Sequence, residues 1–419
     1  MESHYPADPR PILPVIFGFD IADYAFARIF HESLGVRSLV ISEIARGPIN
    51  DSKIFDVQFV AKSTLGNEDR FISLLHQISA EHPDERLILC VNTDEGVDFA
   101  MKHASELEPH WFLPYASAQA VQRANSKSSM ADLFASLGLN APARTIVDLT
   151  SRESWDGALA AIRFPAVVKP ENGADLDVLW KKGLKKVMPT QSPDEAKQYF
   201  ESLADNAVTV PLIAQELIMG DDTTQWVING YVDSRGVVTA AGSGRVLLGL
   251  HQPNLIGNAA MILLEHNDGL IEAAKRVVRA AGMHGFFSID VKFDSRNAQP
   301  YWLDLNPRIG RGHYYLKIGG IDLVAAMMAD MRGEEITYQT NSLDGIYTVI
   351  PSNLANSTYI QDPHLLRKVK SVKRRRRPIN PLQYAQDRHI RRTIYRCVNN
   401  LNQFRQMRQY NPRPTQTGF

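Results

Sequence analysis

This chain has almost no cysteine. Cys90 and Cys397 are the only two in 419 residues, too few for a disulfide framework or a zinc site. A reducing compartment is therefore the expected setting, and the cytoplasm the expected location. Long apolar runs are also missing. No stretch approaches the roughly 20 residues of a spanning helix, so no transmembrane segment is expected. Met1 to Pro6 carries no basic start followed by an apolar core, so a secretory signal is not expected either. No repeat or long low-complexity tract is present, which argues against a solenoid. Net charge is absent as well: 46 Lys plus Arg balance 46 Asp plus Glu. What remains is ordinary globular composition, 44% apolar and 22% charged, at a length that allows two or three domains.

The zero net charge hides a split. From His364 to Phe419 there are fifteen Lys plus Arg and one acid, Asp387, which leaves 31 basic and 45 acidic residues for the rest. An acidic body with a basic tail points to an anionic partner, or to docking of the tail on the body. Lys373 to Arg377 is a dense basic block. Beyond it Arg388, Arg391, Arg392 and Arg396 alternate with Ile390, Ile394 and Val398, the pattern of a basic amphipathic helix that meets anionic surfaces. Peripheral contact with the inner membrane face is one expectation. Nucleic acid competes, but no nucleic-acid-binding motif accompanies the tail.

Strands and helices alternate at the start. Pro14 to Asp20, ending in a turn, Ser38 to Ser42 and Arg86 to Val91 read as strands, the first of them buried, and Tyr24 to Leu34 as a helix stopped by Gly35. This predicts an open parallel α/β domain over 1–117, with ligands at the carboxyl ends of its strands. Asp20, Asp51 and Asp94 sit near those ends, where capping is their ordinary role. Residues 118–145 predict one helix and a connector, with Ser117 and Ser126 as possible caps and Gly138 and Pro142 closing it. From there the pattern turns to mixed α+β over 118–335, and 336–419 forms the C-terminal segment with the basic tail.

The densest chemistry lies in two neighbouring runs. Phe286 to Phe293 carries Asp290 between Ile289 and Val291; Trp302 to Arg308 carries Asp304, Asn306 and Arg308. Asp304 and Asn306 are two apart, so an extended chain points them to one side. Ser295 to Gln299 is turn-rich, so the runs predict a hairpin holding two carboxylates and an amide oxygen together. Such oxygens suit Mg²⁺, which also takes nucleotide phosphate oxygens. Arg308 adds a planar fork for a phosphate or carboxylate. Average composition yields Asp-x-Asn-Pro-Arg, with either acid first, in roughly one per cent or fewer of chains this long.

The order of features resembles the ATP-grasp superfamily. It runs from Lys127 on a helix-leading segment, through Val168-Lys169-Pro170, a glycine-containing loop and Gln215-Glu216-Leu217, to Asp290 and Asp304-Leu305-Asn306-Pro307-Arg308. The resemblance covers about 118–335 and implies an ATP-grasp fold behind a small parallel α/β domain, with a basic C-terminal extension. Among members it is most similar to the carboxylate–amine ligases. Val15 to Asp20, Ala27 to Glu32 and Asp51-Ser52-Lys53 carry a nearer likeness to the bacterial D-aspartate ligases. The resemblance implies ATP and Mg²⁺, two ions, with Mn²⁺ able to substitute. It makes Asp290, Asp304 and Asn306 metal ligands and places Lys127 and Lys169 on phosphates. Gln215, Glu216 and Ile218 would read the adenine, Asp222 would hold the ribose, and Arg308 would lie near the transferred phosphoryl group. Two departures stand out. Residue 304 is Asp where the family usually has Glu. The loop after Pro170 has Gly173 alone before Gly183, so Lys181, Lys182, Lys185 or Lys186 becomes a candidate for the missing charge.

Such an enzyme activates a carboxylate as an acyl phosphate and lets an amine displace phosphate. It needs positioning and positive charge, with no serine or cysteine nucleophile. Arg308, Arg311 and Lys169 are the candidate catalytic residues. Arg311, His313 and Arg245 are candidates for the acid substrate, Arg311 first because its fork grips a carboxylate at two points. The expected substrates are an amino acid and an amine, small or nucleotide-linked. The specific expectation is addition of D-aspartate to the lysine side chain of a peptidoglycan precursor in cell-wall synthesis. The alternatives are a ligase for another amino acid or peptide, and a basic-tailed nucleotide-binding protein without ligase activity.

Overall fold

A computed structural model describes residues 10–171, 179–253 and 255–418. Three sheets order the chain. The first is parallel, in the order β3-β2-β1-β4-β5, with β1 Ile12–Phe17, β2 Ser38–Ser42, β3 Phe55–Phe59, β4 Arg86–Val91 and β5 Trp111–Phe112. β3 and β5 were not legible as strands. β5 is two residues long, and β3 alternates through the polar residues Asp56 and Gln58 at the sheet edge.

The second sheet is antiparallel in the order β6-β9-β7-β8: β6 Arg144–Val147, β7 Ala166–Pro170, β8 Met188–Thr190 and β9 Leu212–Glu216. The third has six strands in the order β14-β13-β10-β11-β12-β15. These are β10 Gln225–Val232, β11 Val238–Gly249, β12 Ala259–Leu264, β13 Gly285–Phe293, β14 Pro300–Asn306 and β15 Ile346–Thr348. β15 lies beyond residue 335 and still pairs with β12. This arrangement is the ATP-grasp fold, mixed α/β with an additional parallel sheet.

The single helix expected after residue 118 is two, Ala118–Asn125 and Lys127–Ser136. Ser126 breaks them. It is extended and its hydroxyl accepts from the Ser129 N–H, capping the second helix. Lys127 thereby stands in the first turn of a new helix. The helix Ile21–Leu34 is buried along most of its length because it is shared. Its Phe26 ring meets Phe286 of β13 edge-on at 5.3 Å. That common core fixes the parallel sheet against the large sheet and sets the loops after β1 and β4 against the residues after β14.

Candidate active site

β13 and β14 form the expected hairpin. Asp290 pairs with Asp304 and Ser288 with Asn306 across the strands. A bulge between Asp290 and Val291 ends the regular register beside the acids. Burial, then the neighbouring Asp304, pushes the Asp290 carboxyl up to about 7. Burial acts on Asp304 in the same sense, but Lys169, Lys127 and Lys186 outweigh it and hold that carboxyl below its ordinary value. Asn306 Nδ2 donates to the Ser288 carbonyl at 3.5 Å. Among the described residues no three His, Cys, Asp or Glu side chains converge on a metal site; the Asn306 amide offers a further oxygen beside Asp290 and Asp304. Two carboxylates and an amide fit Mg²⁺, and the raised Asp290 is what a buried acid pair does without a cation between its members.

These groups line one cavity of about 1280 Å³. Lys169, at the end of β7, lies 3.7 Å from Asp304. Lys127 donates to the Glu171 carbonyl at 2.8 Å, and burial lowers its pKa. Of the four lysines after the loop, Lys182 and Lys186 line the cavity, and Lys181 and Lys185 are exposed and do not. Lys186 is pushed down by burial and then by Arg308. The segment 172–178, with Gly173, lies outside the described residues.

The same cavity also draws on segments distant in the chain. Arg308 clasps Asp94 with two bonds, Nε to Oδ1 at 2.6 Å and Nη2 to Oδ2 at 3.1 Å. Arg311 Nε donates to Asp20 Oδ2 at 2.8 Å, and its buried Nη1 has no hydrogen-bond partner. Asp20 thus caps the helix Ile21–Leu34 and also holds an arginine 291 positions away. Asn92, Glu95, Asp98, Asn229 and Ser288 line the cavity too and were not singled out from sequence. For Asn92, Glu95 and Asp98, after β4, the rule placing ligands at strand carboxyl ends pointed at their segment through Asp94; Asn229 and Ser288 lie on β10 and β13.

The nucleoside candidates lie apart from the cavity: Gln215, Glu216, Ile218 and Asp222 are not in its lining. Glu216 pairs with Arg296 at 3.0 Å. Asp222 accepts from the Gly249 N–H at 2.7 Å and stands 3.1 Å from His251 Nε2. The C-terminal residues run past this end: Gly220 N–H donates to the Gln416 carbonyl at 2.6 Å, and Lys292 Nζ to the Thr417 carbonyl at 2.9 Å. No sequence signal foretold that contact.

Arg245 and His313 fall outside the cavity lining. Arg245 Nε donates to the Thr223 carbonyl at 2.7 Å. His313 is fully buried, edge-on to Phe26, with Nδ1 donating to the Gly310 carbonyl at 2.8 Å. Burial depresses its pKa to about 4, so it is a neutral turn residue at pH 7. A consequence for stability follows. Below about 6.5 the unfolded chain protonates this histidine and the folded chain does not, so stability falls as pH drops toward about 4. The full effect is about 3 kcal/mol. Melts between pH 6.5 and 4 should show this slope, and His313→Gln should flatten it. Equal slopes would assign the acid sensitivity to other groups.

The fold is that of the ATP-grasp ligases, enzymes that form carbon–nitrogen bonds with ATP and Mg²⁺ and release ADP and phosphate. In sequence the chain is similar to D-aspartate ligase of Enterococcus faecium, 25% identical over 344 residues that cover 79% of this chain and 80% of that one. In structure it is similar to L-amino acid ligase from Bacillus licheniformis, with TM-score 0.54, 16% identity and coverage of 77% and 74%. It is also similar to the biotin carboxylase domain of the Hydrogenobacter thermophilus 2-oxoglutarate carboxylase, solved with MgADP and bicarbonate, with TM-score 0.60, 14% identity and coverage of 80% and 73%. No protein-family model matches the chain.

Proposed function

We propose that this chain joins the carboxylate of an amino acid, D-aspartate, to the lysine side-chain amine of a peptidoglycan precursor. The observation that carries the reading is one cavity that gathers Lys127, Lys169, Asp290, Asp304, Asn306, Arg308 and Arg311 in its lining. The likeness to D-aspartate ligase supports the choice of acid. On this reading 1–117 supplies the acid-facing loops, 118–335 the nucleotide and metal site, and 336–419 the contact with an anionic precursor at the inner membrane face.

A carboxylate oxygen is a poor leaving group, so the acid must be activated first. A carboxylate oxygen of the acid bonds to the γ-phosphorus of ATP, the bridging P–O bond breaks, and ADP leaves with its electron pair. The amine then attacks the acyl carbon. The C–O bond to phosphate breaks, and the amine loses a proton. Lys127 and Lys169 hold phosphate oxygens as point charges, and Arg308 stands by the acyl phosphate. Mg²⁺, held by Asp290, Asp304 and Asn306, supplies charge that offsets the phosphate oxygens. Gln215, Glu216, Ile218 and Asp222 hold the nucleoside. Arg311 grips the carboxylate that is not activated. An alkylammonium titrates near pH 10.4, so the attacking amine needs an acceptor for its proton; Asp94, Glu95 and Asp98 are carboxylates in the cavity lining that could take it.

Two measurements test this. Phosphate release should be screened across D- and L-amino acids with a cell-wall precursor as acceptor; the reading expects D-aspartate to lead. With acid, ATP and Mg²⁺ but no acceptor, hydroxylamine should trap a hydroxamate. Formation of AMP and pyrophosphate instead would rule out the acyl phosphate route.

A further inference from the structure

The helix Ile390–Tyr410 leaves part of its apolar surface in solvent. Amphipathic helices turn their apolar face inward. Here the inward face is mixed: Tyr395, Phe404 and Met407 pack on the core beside polar anchors. Arg392, 7% exposed, donates to the Pro48 and Asn50 carbonyls at 3.0 and 2.8 Å and pairs with Asp387 at 3.3 Å. Its guanidinium covers the Tyr24 ring, and Gln406 bonds Gln252 further along. These contacts anchor the helix to the body. The outward face is apolar. Ile390, Ile394, Val398 and Leu401 are 69, 57, 58 and 71% exposed, and their spacing of four, four and three puts them on one stripe.

We infer that this stripe is a docking face for an anionic lipid surface. The helix contains five arginines and no acid. Arg405 and Arg408 are exposed and continue the stripe toward the end of the helix, and Arg391 is exposed at its border, by helical spacing. A second copy is the poorer occupant. Two-fold pairing over the stripe would set these arginines against their own counterparts with no carboxylate on either helix to offset them. An anionic bilayer accepts both components: the isoleucines and leucine enter the headgroup boundary and the arginines meet lipid phosphates. The polar anchor holds the stripe outward before any lipid arrives, so docking orders little new chain. The inference deepens the proposed precursor contact and rests on it only for its purpose, since lipid docking requires no ligase chemistry.

The experiment uses the full chain without ATP or substrate. Vesicles of phosphatidylcholine alone and of phosphatidylcholine with phosphatidylglycerol are the probes. Co-sedimentation should be at least tenfold stronger on the anionic vesicles and should weaken with salt. Cys397 is exposed beside the stripe and Cys90 is buried, so a polarity-sensitive fluorophore on Cys397 should shift to the blue on docking. Ile394→Asp with Leu401→Asp should remove at least tenfold of the binding, with an unchanged melting temperature and unchanged phosphate release in solution. Equal binding to neutral vesicles, or none to either, overturns the inference. So does a dimer that the same double substitution dissolves, which would give the face to a second copy. A failed ligase screen leaves the vesicle result standing, and the reverse holds equally.

Discussion

Asp290→Asn should lower ligation by on the order of a thousand-fold and leave the fold intact. Several kcal/mol of charge stabilisation depends on a metal held by this hairpin, and each 1.36 kcal/mol is a factor of ten. The substitution removes one carboxylate from the cross-strand pair Asp290–Asp304. In the metal-free protein that pair is self-repelling, with Asp290 pushed up to about 7 by burial and by Asp304. An amide of the same shape relieves the repulsion. The metal-free variant should therefore melt no lower than the parent even though its chemistry is lost, a combination that damage to the fold cannot produce. Asn306→Ala should also abolish ligation, because it takes away the only amide oxygen of the set. Ligation near the parent rate at saturating Mg²⁺ in either variant would show the metal assignment to be wrong.

Arg311→Ala should cost roughly 30- to several-thousand-fold in kcat/KM for the acid. Truncating one member of a buried, charge-assisted pair costs about 2–5 kcal/mol, converted at about 1.4 kcal/mol per decade. The structure adds a reason to expect a directional effect. Asp20 takes Nε, and Nη1 is left buried without a partner, so the guanidinium is already oriented with donor capacity to spare. KM for ATP should change little if Lys127, Lys169 and Asp222 hold the nucleotide separately, as proposed. Arg311→Lys should rescue only in part, because an ammonium has no planar fork. Asp20→Asn keeps an oxygen to cap the helix and releases the arginine's charge partner, so it should raise KM for the acid at an unchanged melting temperature. Equal weakening of ATP and acid in Arg311→Ala would move Arg311 to the phosphates. Normal aspartate kinetics would make Arg245 the next residue to test.

The hairpin with Asp290, Asp304 and Asn306 was legible in the sequence because strand alternation is a two-residue rule and the turn between the runs is polar. Lys169 was legible for a similar local reason, at the end of an apolar run. The first turn of Lys127–Ser136 was half legible: Ser126 was recognisable as a cap, but the separate helix before it was not. Local chemistry cannot say where two caps compete and the chain breaks.

Everything that makes a cavity of these parts was decided by the tertiary structure. Arg308 and Asp94 are 214 positions apart, and Arg311 and Asp20 are 291. They meet because Phe26 and Phe286 share a core that docks one sheet on the other. His313 reads as a candidate for the acid substrate and is buried by that same docking. Lys186 faces the cavity and Lys185 faces away, a choice made by the turn at Trp180–Lys182 and the pairing of β8 with β7. The helix Ile390–Tyr410 could be foreseen as basic and amphipathic, but not with an apolar stripe left outward. Sequence by itself determined the oxygen and ammonium groups and the elements that carry them, since those depend on neighbours a few residues away. Which of them face one another depends on burying apolar surface between distant segments, and only the folded chain settles that.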